Sequence, residues 1–192
     1  MNQSALAREY FKTGRCTQCR VIDLHAHYGH FGAIYMPNHD GDQMMATMDR
    51  CGVECVVSSG HTALADMVRG NREIAEETAR FPGRWYGYLV YNPNYPSDAQ
   101  RELSLYDQRK TFVGIKLHPS FHRYPLTGDA YKPALEFAAR QRLLLLSHTW
   151  GGSAYDDVPQ VEAVADKYPE IDILCGHAFY GNWTAGMELT KR

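Results

Sequence analysis

The sequence predicts an α/β fold of parallel strands, a TIM-barrel-like (β/α) fold in which six of the eight βα units are present. Three observations support this prediction. Short apolar segments rich in β-forming residues alternate with longer amphipathic segments along the chain. The short segments are almost continuously apolar, as in strands that are covered on both faces. Their starts lie about 30 residues apart, which matches one βα unit of a barrel.

The predicted strands are the segments in which apolar and β-branched residues occur together. In chain order they cover residues 20–25, 54–58, 85–91, 112–117, 143–147 and 171–175. The longer segments place apolar residues on one side, as Ile74, Thr78 and Phe81 illustrate. They predict helices over residues 42–51, 71–80, 97–110, 130–140 and 158–168, and a sixth over 183–191. Ser97 and Asp157 are the expected N-caps of two of these helices.

Composition and charge exclude several classes of protein. Lys and Arg number 20 against 22 for Asp and Glu, a net charge of −2, so no basic surface for nucleic acid is expected. The longest apolar run, 143–146, is too short to span a membrane. Residues 1–20 lack the apolar core of a signal peptide. Five cysteines, an odd count, indicate reduced thiols and a cytoplasmic protein. The expected partner is a small-molecule substrate, not nucleic acid or a membrane.

Two regions are expected in the chain. Residues 1–20 form a polar N-terminal extension, and residues 21–192 form the barrel, since no linker or low-complexity tract divides them. Eight units at the same spacing would extend to about residue 261, so the sequence predicts a barrel that is incomplete at its C-terminus. An open sheet has unpaired edges, and self-association into a homo-oligomer is therefore one expected outcome.

Histidines at the ends of predicted strands mark the candidate site. His25 and His27 end the first strand, and alternation projects both to one face, with Val21 and Asp23 below them. Two imidazoles on one face can ligate a metal ion. A His-x-His pair alone is explained equally well as two loop histidines before a turn.

Three further strand ends carry histidine. His148 follows strand five, His177 follows strand six, and His118 ends strand four, where alternation puts Lys116 on the same side. The C-terminal ends of the strands form the face of a barrel on which catalytic groups collect. Each histidine alone is more often a hydrogen-bonded core or loop residue. Together they favour a metal centre, because neutral imidazole suits zinc, iron, nickel and manganese.

Five short segments, spread over nearly the whole chain, carry a family resemblance. They are Ile22-Asp23-Leu24-His25-Ala26-His27, Met48-Asp49-Arg50-Cys51-Gly52-Val53, Gly114-Ile115-Lys116-Leu117-His118-Pro119, Leu146-Ser147-His148-Thr149 and Leu174-Cys175-Gly176-His177. In this order they resemble the amidohydrolase superfamily of metal-dependent barrels. The resemblance is to the amidohydrolase-related branch that contains aminocarboxymuconate-semialdehyde decarboxylase.

The resemblance implies roles for particular residues. It implies that His25, His27 and His148 bind one divalent metal ion, with zinc as the expected metal. It implies a catalytic role for His177, which would assist the metal-bound water. Lys116 lies where some branches of the superfamily carry a bridging carbamylated lysine, and it is assigned with His118 to substrate binding. The family's further ligand, an aspartate from strand eight, has no counterpart in this sequence.

The expected function is that of a metal-dependent hydrolase of the amidohydrolase type. It would act on a small cyclic or carboxylated substrate through metal-activated water. Two alternatives stay open: a non-oxidative decarboxylase on the same metal site, and an inactive barrel remnant that lacks the carboxylate ligand. The sequence does not choose between hydrolysis and decarboxylation, because one site can serve both reactions.

Other reactive or aromatic residues have two interpretations each. Cys16-Thr17-Gln18-Cys19 looks like half of a zinc ribbon, and Cys51 and Cys55 could be its other half. Cys51 falls in a predicted helix and Cys55 in a predicted strand, however, so reduced thiols are predicted. The histidines in predicted loops are expected to be solvated; they are His30, His39, His61 and His122. Aromatic residues after the strand ends, such as Trp150 and Tyr180, either line a substrate pocket or cap the core.

Overall fold

The computed structural model describes residues 4–191 and, within them, one parallel sheet of six strands. The strands are β1 (Ile22–Tyr28), β2 (Cys55–Gly60), β3 (Trp85–Val90), β4 (Phe112–Leu117), β5 (Leu144–Trp150) and β6 (Asp172–Tyr180). Each strand pairs in parallel with the next one along the chain. The predicted fold class is confirmed: the chain forms six of the eight βα units of a TIM barrel. Each predicted strand begins within two residues of an observed one.

Helices precede, connect and follow the strands. They are α1 (Ala5–Thr13), α2 (Gly41–Cys51), α3 (Thr62–Ala65), α4 (Met67–Ala79), α5 (Pro96–Ser104), α6 (Pro119–His122), α7 (Lys132–Gln141), α8 (Val158–Lys167) and α9 (Trp183–Leu189). Short 3-10 turns occur at Tyr106–Gln108 and Asp129–Tyr131. Within residues 4–191, no helix combines the length and apolarity that a membrane span requires.

The helix boundaries correct two predictions. The helix expected over 97–110 ends at Ser104 and continues only as a 3-10 turn. Ser97 is not its N-cap, because the helix already begins at Pro96, a residue whose fixed φ suits the first helical position. Asp157 is confirmed as the cap of α8, since its carboxylate accepts the backbone N–H of Val158 at 2.8 Å.

The N-terminal extension contains a helix that the sequence analysis did not predict. Ser4 caps α1 by accepting the N–H of Ala7 at 3.1 Å, and Gly14 ends it with a φ of 73°. No residue of α1 is buried. Its apolar side chains Tyr10 and Phe11 are exposed, so α1 does not cover an edge of the sheet.

The core occupies both faces of the sheet. Leu89 and Ile115 pack on one face with apolar residues of the helices. Val57, Tyr88 and Leu146 form a separate cluster on the opposite face, which we call the inner face because it lines the barrel interior. Adjacent residues of β3 thus serve opposite clusters, as strand alternation requires. This two-sided burial explains the continuous apolar character of the strand sequences.

The pairing of β1 with β2 contains an irregularity just before the histidines. Asp23 pairs with Val56 and Ala26 with Ser58, so two residues of β1 stand opposite Val57 alone. Such a bulge interrupts the alternation along a strand. The prediction that Asp23 shares the face of the histidines is therefore wrong, because its partner Val56 packs on the outer face.

The two outer strands of the sheet leave a groove between them. Strands β1 and β6 are not paired with each other in the part of the chain that the structure describes. The groove has a volume of about 420 Å³, and its lining includes Ile22, Leu24, Leu174, His25 and His177. Ile22 and Leu24 are exposed, so apolar positions of the inner face are accessible there.

Candidate functional site

Seven side chains with acid–base or metal-binding capacity lie at the C-terminal ends of the strands. They are His25 and His27 in β1, His61 after β2, Lys116 and His118 at the end of β4, His148 in β5 and His177 in β6. This is the end of the sheet on which barrel proteins carry their functional groups. All six residues that the sequence predicted for the site are therefore at the expected end.

The rings of the strand-end histidines form a continuous group. The ring centres of His25 and His27 are 5.2 Å apart, and those of His25 and His177 are 5.3 Å apart. His148 lies 4.7 Å from His177, and His118 stacks on His148 at 4.0 Å. The imidazoles carried by β1, β5 and β6 thus lie next to one another, and the imidazole at the end of β4 contacts that of β5.

His61 extends this group towards β2. Its ring stacks on that of His27 at 4.6 Å with an interplanar angle of 6°, and its Nδ1 lies 2.8 Å from the carbonyl oxygen of Gly29. Only 6% of His61 is exposed. His122 is equally buried, with Nε2 3.2 Å from the carbonyl oxygen of Leu64. The expectation of solvated loop histidines is therefore wrong for both residues, since loop contacts cover them.

A left-handed bend at the end of β6 directs His177. Three consecutive residues that are not glycine, His177, Ala178 and Phe179, have φ values of 63°, 48° and 55°. Each such residue costs roughly 1–3 kcal/mol and persists only where surrounding contacts hold it. The buried Thr149 supplies two of these contacts: its hydroxyl donates to the carbonyl of Gly176 at 2.5 Å and accepts the N–H of Phe179 at 3.1 Å. Thr149 is thus a positioning residue for the bend.

Lys116 is the buried cation of the site. Its side chain has no exposed surface, and its Nζ lies 3.4 Å from Nε2 of His25. Burial lowers the pKa of Lys116 to about 7, while the carboxylate of Asp156 opposes this decrease. Lys116 therefore acts on its surroundings through its charge, and this charge changes near neutral pH.

Burial lowers the pKa of the histidines throughout the group, and the charges of neighbouring imidazoles and Lys116 lower it further. The pKa falls to about 4 for His25, about 2 for His27 and about 3 for His148. For His118 the pKa falls to about 2, and burial also lowers the pKa of His177. These imidazoles are therefore neutral at pH 7, and each has a lone pair available for a cation or a proton.

The donor chemistry of the group fits a divalent cation. Neutral imidazole is a common ligand of zinc, manganese and related ions, and His25, His27 and His148 supply three such donors. Across residues 4–191, however, no three His, Cys, Asp or Glu side chains already have the spacing of a metal-binding group. Metal binding would therefore require these rings to rotate towards a common point.

Asp156 is a buried acid near the site that the sequence analysis did not select. Its carboxylate accepts the N–H and the hydroxyl of Ser120, at 3.1 Å and 2.8 Å, and it raises the pKa of both Lys116 and His177. No surface of Asp156 is exposed. It is adjacent to the helix cap Asp157, and no sequence signal distinguishes the buried acid from the cap.

Aromatic side chains continue the site on the side of β5 and β6. Trp150 lies parallel to His148 with ring centres 6.0 Å apart, and it is 5.9 Å from His177. Tyr180 packs on Trp150 at 4.6 Å, and Trp183 packs on Tyr180 at 5.5 Å. These three aromatic residues, which we call the aromatic wall, are each more than 40% exposed. They present flat apolar surface beside the imidazoles instead of capping the core.

A second, apolar hollow of similar volume does not share this chemistry. It has a volume of about 390 Å³ and lies between α2 and the loop after β1, where its lining includes Tyr35, Met44, Met48 and Cys51. None of the histidines lines it. The groove between β1 and β6, in contrast, is lined by His25 and His177 and opens on the candidate site.

The fold and the site together define a histidine-rich (β/α) barrel protein whose candidate functional site lies at the C-terminal face of the sheet. Residues 22–192 match the model of the family described as amidohydrolase. The chain therefore belongs to the amidohydrolase family. No curated protein is similar enough in sequence to be matched with it.

Several solved structures share the fold. The chain is similar to 2,6-dihydroxybenzoate decarboxylase in complex with 2,6-dihydroxybenzoate, with a TM-score of 0.64 and 16% identity over 84% of this chain and 67% of that one. It is similar to 5-carboxyvanillate decarboxylase of Novosphingobium aromaticivorans in complex with manganese, with a TM-score of 0.69 and 14% identity over 90% and 69%. It also resembles 4-oxalomesaconate hydratase of Rhodopseudomonas palustris, with a TM-score of 0.60 and 16% identity over 90% and 69%.

Proposed function

We propose that this chain carries the catalytic face of a metal-dependent, non-oxidative decarboxylase that acts on a small cyclic carboxylic acid. The observation that carries this proposal is the aromatic wall beside the imidazoles of His148 and His177. An exposed Trp and Tyr next to ionisable groups suit a flat ring with a polar substituent. The similarity in fold to two decarboxylases of benzoic acids supports the same substrate class.

His25, His27 and His148 would hold the divalent metal, as the sequence predicts. The manganese in a protein of similar fold supports a divalent ion, and zinc stays a prediction. A bound divalent ion supplies Lewis acidity and a fixed positive charge for a carboxylate or phenolate oxygen. Lys116, at 3.4 Å from His25, adds positive charge next to the ligands, and His118 supports His148 by stacking on it.

His177 would move the proton in this reaction, by accepting it from water and then donating it to the substrate. Decarboxylation breaks the C–C bond to the carboxylate, CO₂ leaves, and the ring carbon keeps the electron pair and takes up a proton. The ring centre of His177 lies 5.3 Å from that of His25 and 4.7 Å from that of His148. His177 also lines the groove between β1 and β6. Its imidazole therefore reaches both the ligand residues and the accessible side of the site.

Hydrolysis is a second candidate, and the neutrality of His177 favours it. Burial lowers the pKa of this histidine, so at pH 7 it is ready to accept a proton from an attacking water. The same residues would then act on an amide or a lactone of a small cyclic substrate. The sequence-predicted hydrolase and the decarboxylase thus differ in the substrate and in the direction in which His177 moves its proton.

The test is a pair of assays on the purified chain loaded with manganese or with zinc. CO₂ release is measured with hydroxybenzoates that include 2,6-dihydroxybenzoate, and hydrolysis is measured with cyclic amides and lactones. His177→Asn should reduce turnover by about 10²- to 10⁴-fold while bound metal stays near the wild-type amount. His30→Asn, a change at an exposed histidine, is the matched control and should leave turnover unchanged.

Each outcome of these assays decides between the candidates. CO₂ release that depends on His177 supports the decarboxylase. Hydrolysis without CO₂ release refutes the decarboxylase and supports the hydrolase. A loaded, folded chain that performs neither reaction refutes both and supports the third alternative, an inactive barrel remnant.

A further inference from the structure

A second concentration of reactive side chains lies in the segment between α1 and β1, at the opposite end of the strands from the histidines. The Sγ atoms of Cys16 and Cys19 are 3.6 Å apart. Cys19 is exposed and Cys16 is half-buried, so reagents in solution reach the pair. A disulfide bond is about 2.05 Å long, and the two sulfur atoms therefore need to approach by only about 1.5 Å.

The segment that carries the two thiols is held by one carboxylate. Glu9 of α1 accepts the backbone N–H of Thr17 at 2.9 Å and its hydroxyl at 2.5 Å. It also accepts the side-chain amide of Gln18 at 2.9 Å. Thr17 and Gln18 are the two residues between the cysteines, so these bonds fix the turn that brings the thiols together. Preorganisation of this kind raises the effective concentration of one thiol at the other.

A structural zinc site does not account for the pair. Across the described residues, no group of three His, Cys, Asp or Glu side chains is arranged to hold a metal, so Cys16 and Cys19 lack the further ligands that structural zinc needs. Cys51 and Cys55, the other half of the zinc ribbon considered from the sequence, end α2 and begin β2. A disulfide, in contrast, needs only two cysteines.

We propose that Cys16 and Cys19 form a reversible dithiol–disulfide site that reacts with small disulfides of the oxidised-glutathione class. The thiolate of one cysteine attacks a sulfur atom of the small disulfide, forms a mixed disulfide and releases one thiolate. The second cysteine, as thiolate, attacks the protein sulfur of the mixed disulfide and releases the other small thiol. The chain loses two hydrogens, and one disulfide becomes two thiols, so electrons and atoms balance.

Closure of so short a loop removes little chain entropy, and the bond is therefore not mainly a structural brace. Its chemistry is that of a redox-modifiable surface site on the N-terminal extension. The site is separated from the histidines by the length of β1, so it is independent of the proposed decarboxylase or hydrolase activity. Failure of either proposal leaves the other unchanged.

The experiment is thiol titration of the full reduced chain in buffers with increasing ratios of oxidised to reduced glutathione. Intact mass and peptide mapping follow the products. The wild type should lose two of its five free thiols and two hydrogens, and the new link should map to Cys16 and Cys19. Each of the single variants Cys16→Ser and Cys19→Ser should instead keep one glutathionyl group on the cysteine that remains. Cys51→Ser is the matched control and should form the link as the wild type does.

A further variant tests the role of the carboxylate. Glu9→Ala removes all three bonds to the turn, so half-oxidation should require a several-fold higher ratio of oxidised glutathione. The proposal is overturned if five thiols persist in the oxidised buffers. It is also overturned if the wild type accumulates only glutathionyl adducts, or if the link forms between other cysteines.

Discussion

Gly176, in β6, lies against His25, one of the proposed metal ligands, and its replacement by alanine is a sharp test of the site. A Cβ at this position would lie 2.8 Å from Cε1 of His25 and 3.0 Å from the carbonyl oxygen of Ser147. Carbon atoms in favourable contact are about 3.5 Å apart, so the His25 ring must move by about 0.7 Å. The carbonyl of Ser147 belongs to the paired strand β5 and cannot move as easily.

The size of the effect follows from this displacement. Metal–ligand distances tolerate errors of only about 0.2 Å, and disturbance of the residues that orient a ligand typically weakens metal binding by about 10- to 100-fold. We therefore expect Gly176→Ala to weaken binding of zinc or manganese by about this factor. The free energy of unfolding of the metal-free chain should fall by about 1–3 kcal/mol, the usual cost of one overpacked methyl group.

Metal affinity is measured by competition with a chromophoric chelator, and stability by urea unfolding of the metal-free chain. Gly32→Ala is the matched control, because no heavy atom lies within 4 Å of its added Cβ. This control should change neither quantity. Metal affinity of Gly176→Ala within twofold of the wild type would refute the reasoning, since it would show that the position of the His25 ring does not matter for the metal.

Two further predictions concern buried charges. The carboxylate of Glu102 is only 1% exposed and pairs with the guanidinium of Arg109 at 2.6 Å. Arg109→Met leaves this buried carboxylate without its cation, so the free energy of unfolding in urea should fall by about 3 kcal/mol. Arg101→Met, at an exposed pair, should cost less than about 1 kcal/mol. Because burial lowers the pKa of Lys116 to about 7, unfolding takes up a proton between about pH 7 and 10, and stability falls with decreasing pH across this window. Metal-free Lys116→Met should therefore be more stable than the wild type by roughly 2–4 kcal/mol at pH 7 and by less at pH 9. Lys110→Met, a change at an exposed lysine, is the matched control and should alter the free energy of unfolding by less than about 0.5 kcal/mol at both pH values.

The strands and the end of the sheet that carries the site could be predicted from the sequence, because both depend on local composition. Continuous apolar segments mark strands covered on both faces, and a histidine that follows such a segment must lie at its C-terminal end. The placement of His148 and His177 follows directly from this rule.

Other features depend on contacts that no local pattern reveals. The bulge beside Asp23 arises from the pairing of β1 with β2, and the burial of His61 arises from its stacking on His27. Helix α1 escaped prediction although its sequence is amphipathic, because it lies in a mostly polar segment and none of its residues is buried in the core. The left-handed conformation of Ala178 opposes the intrinsic preference of the residue, and the bonds of Thr149 to Gly176 and Phe179, on either side of it, help to hold it.

The left-handed bend at the end of β6 also sets how fast the backbone that carries the His177 ring can change its conformation. To leave the site by a return to extended backbone, His177, Ala178 and Phe179 must cross from positive to negative φ while Thr149 releases its two hydrogen bonds. Such a concerted change belongs to the microsecond-to-millisecond range, far slower than the rotation of an exposed side chain. Under the proposed function, a substrate that arrives in the groove would therefore meet an imidazole on an already fixed backbone. The loss of backbone entropy that orients the proposed proton carrier would then be incurred once, during folding, and would not be repeated in every turnover.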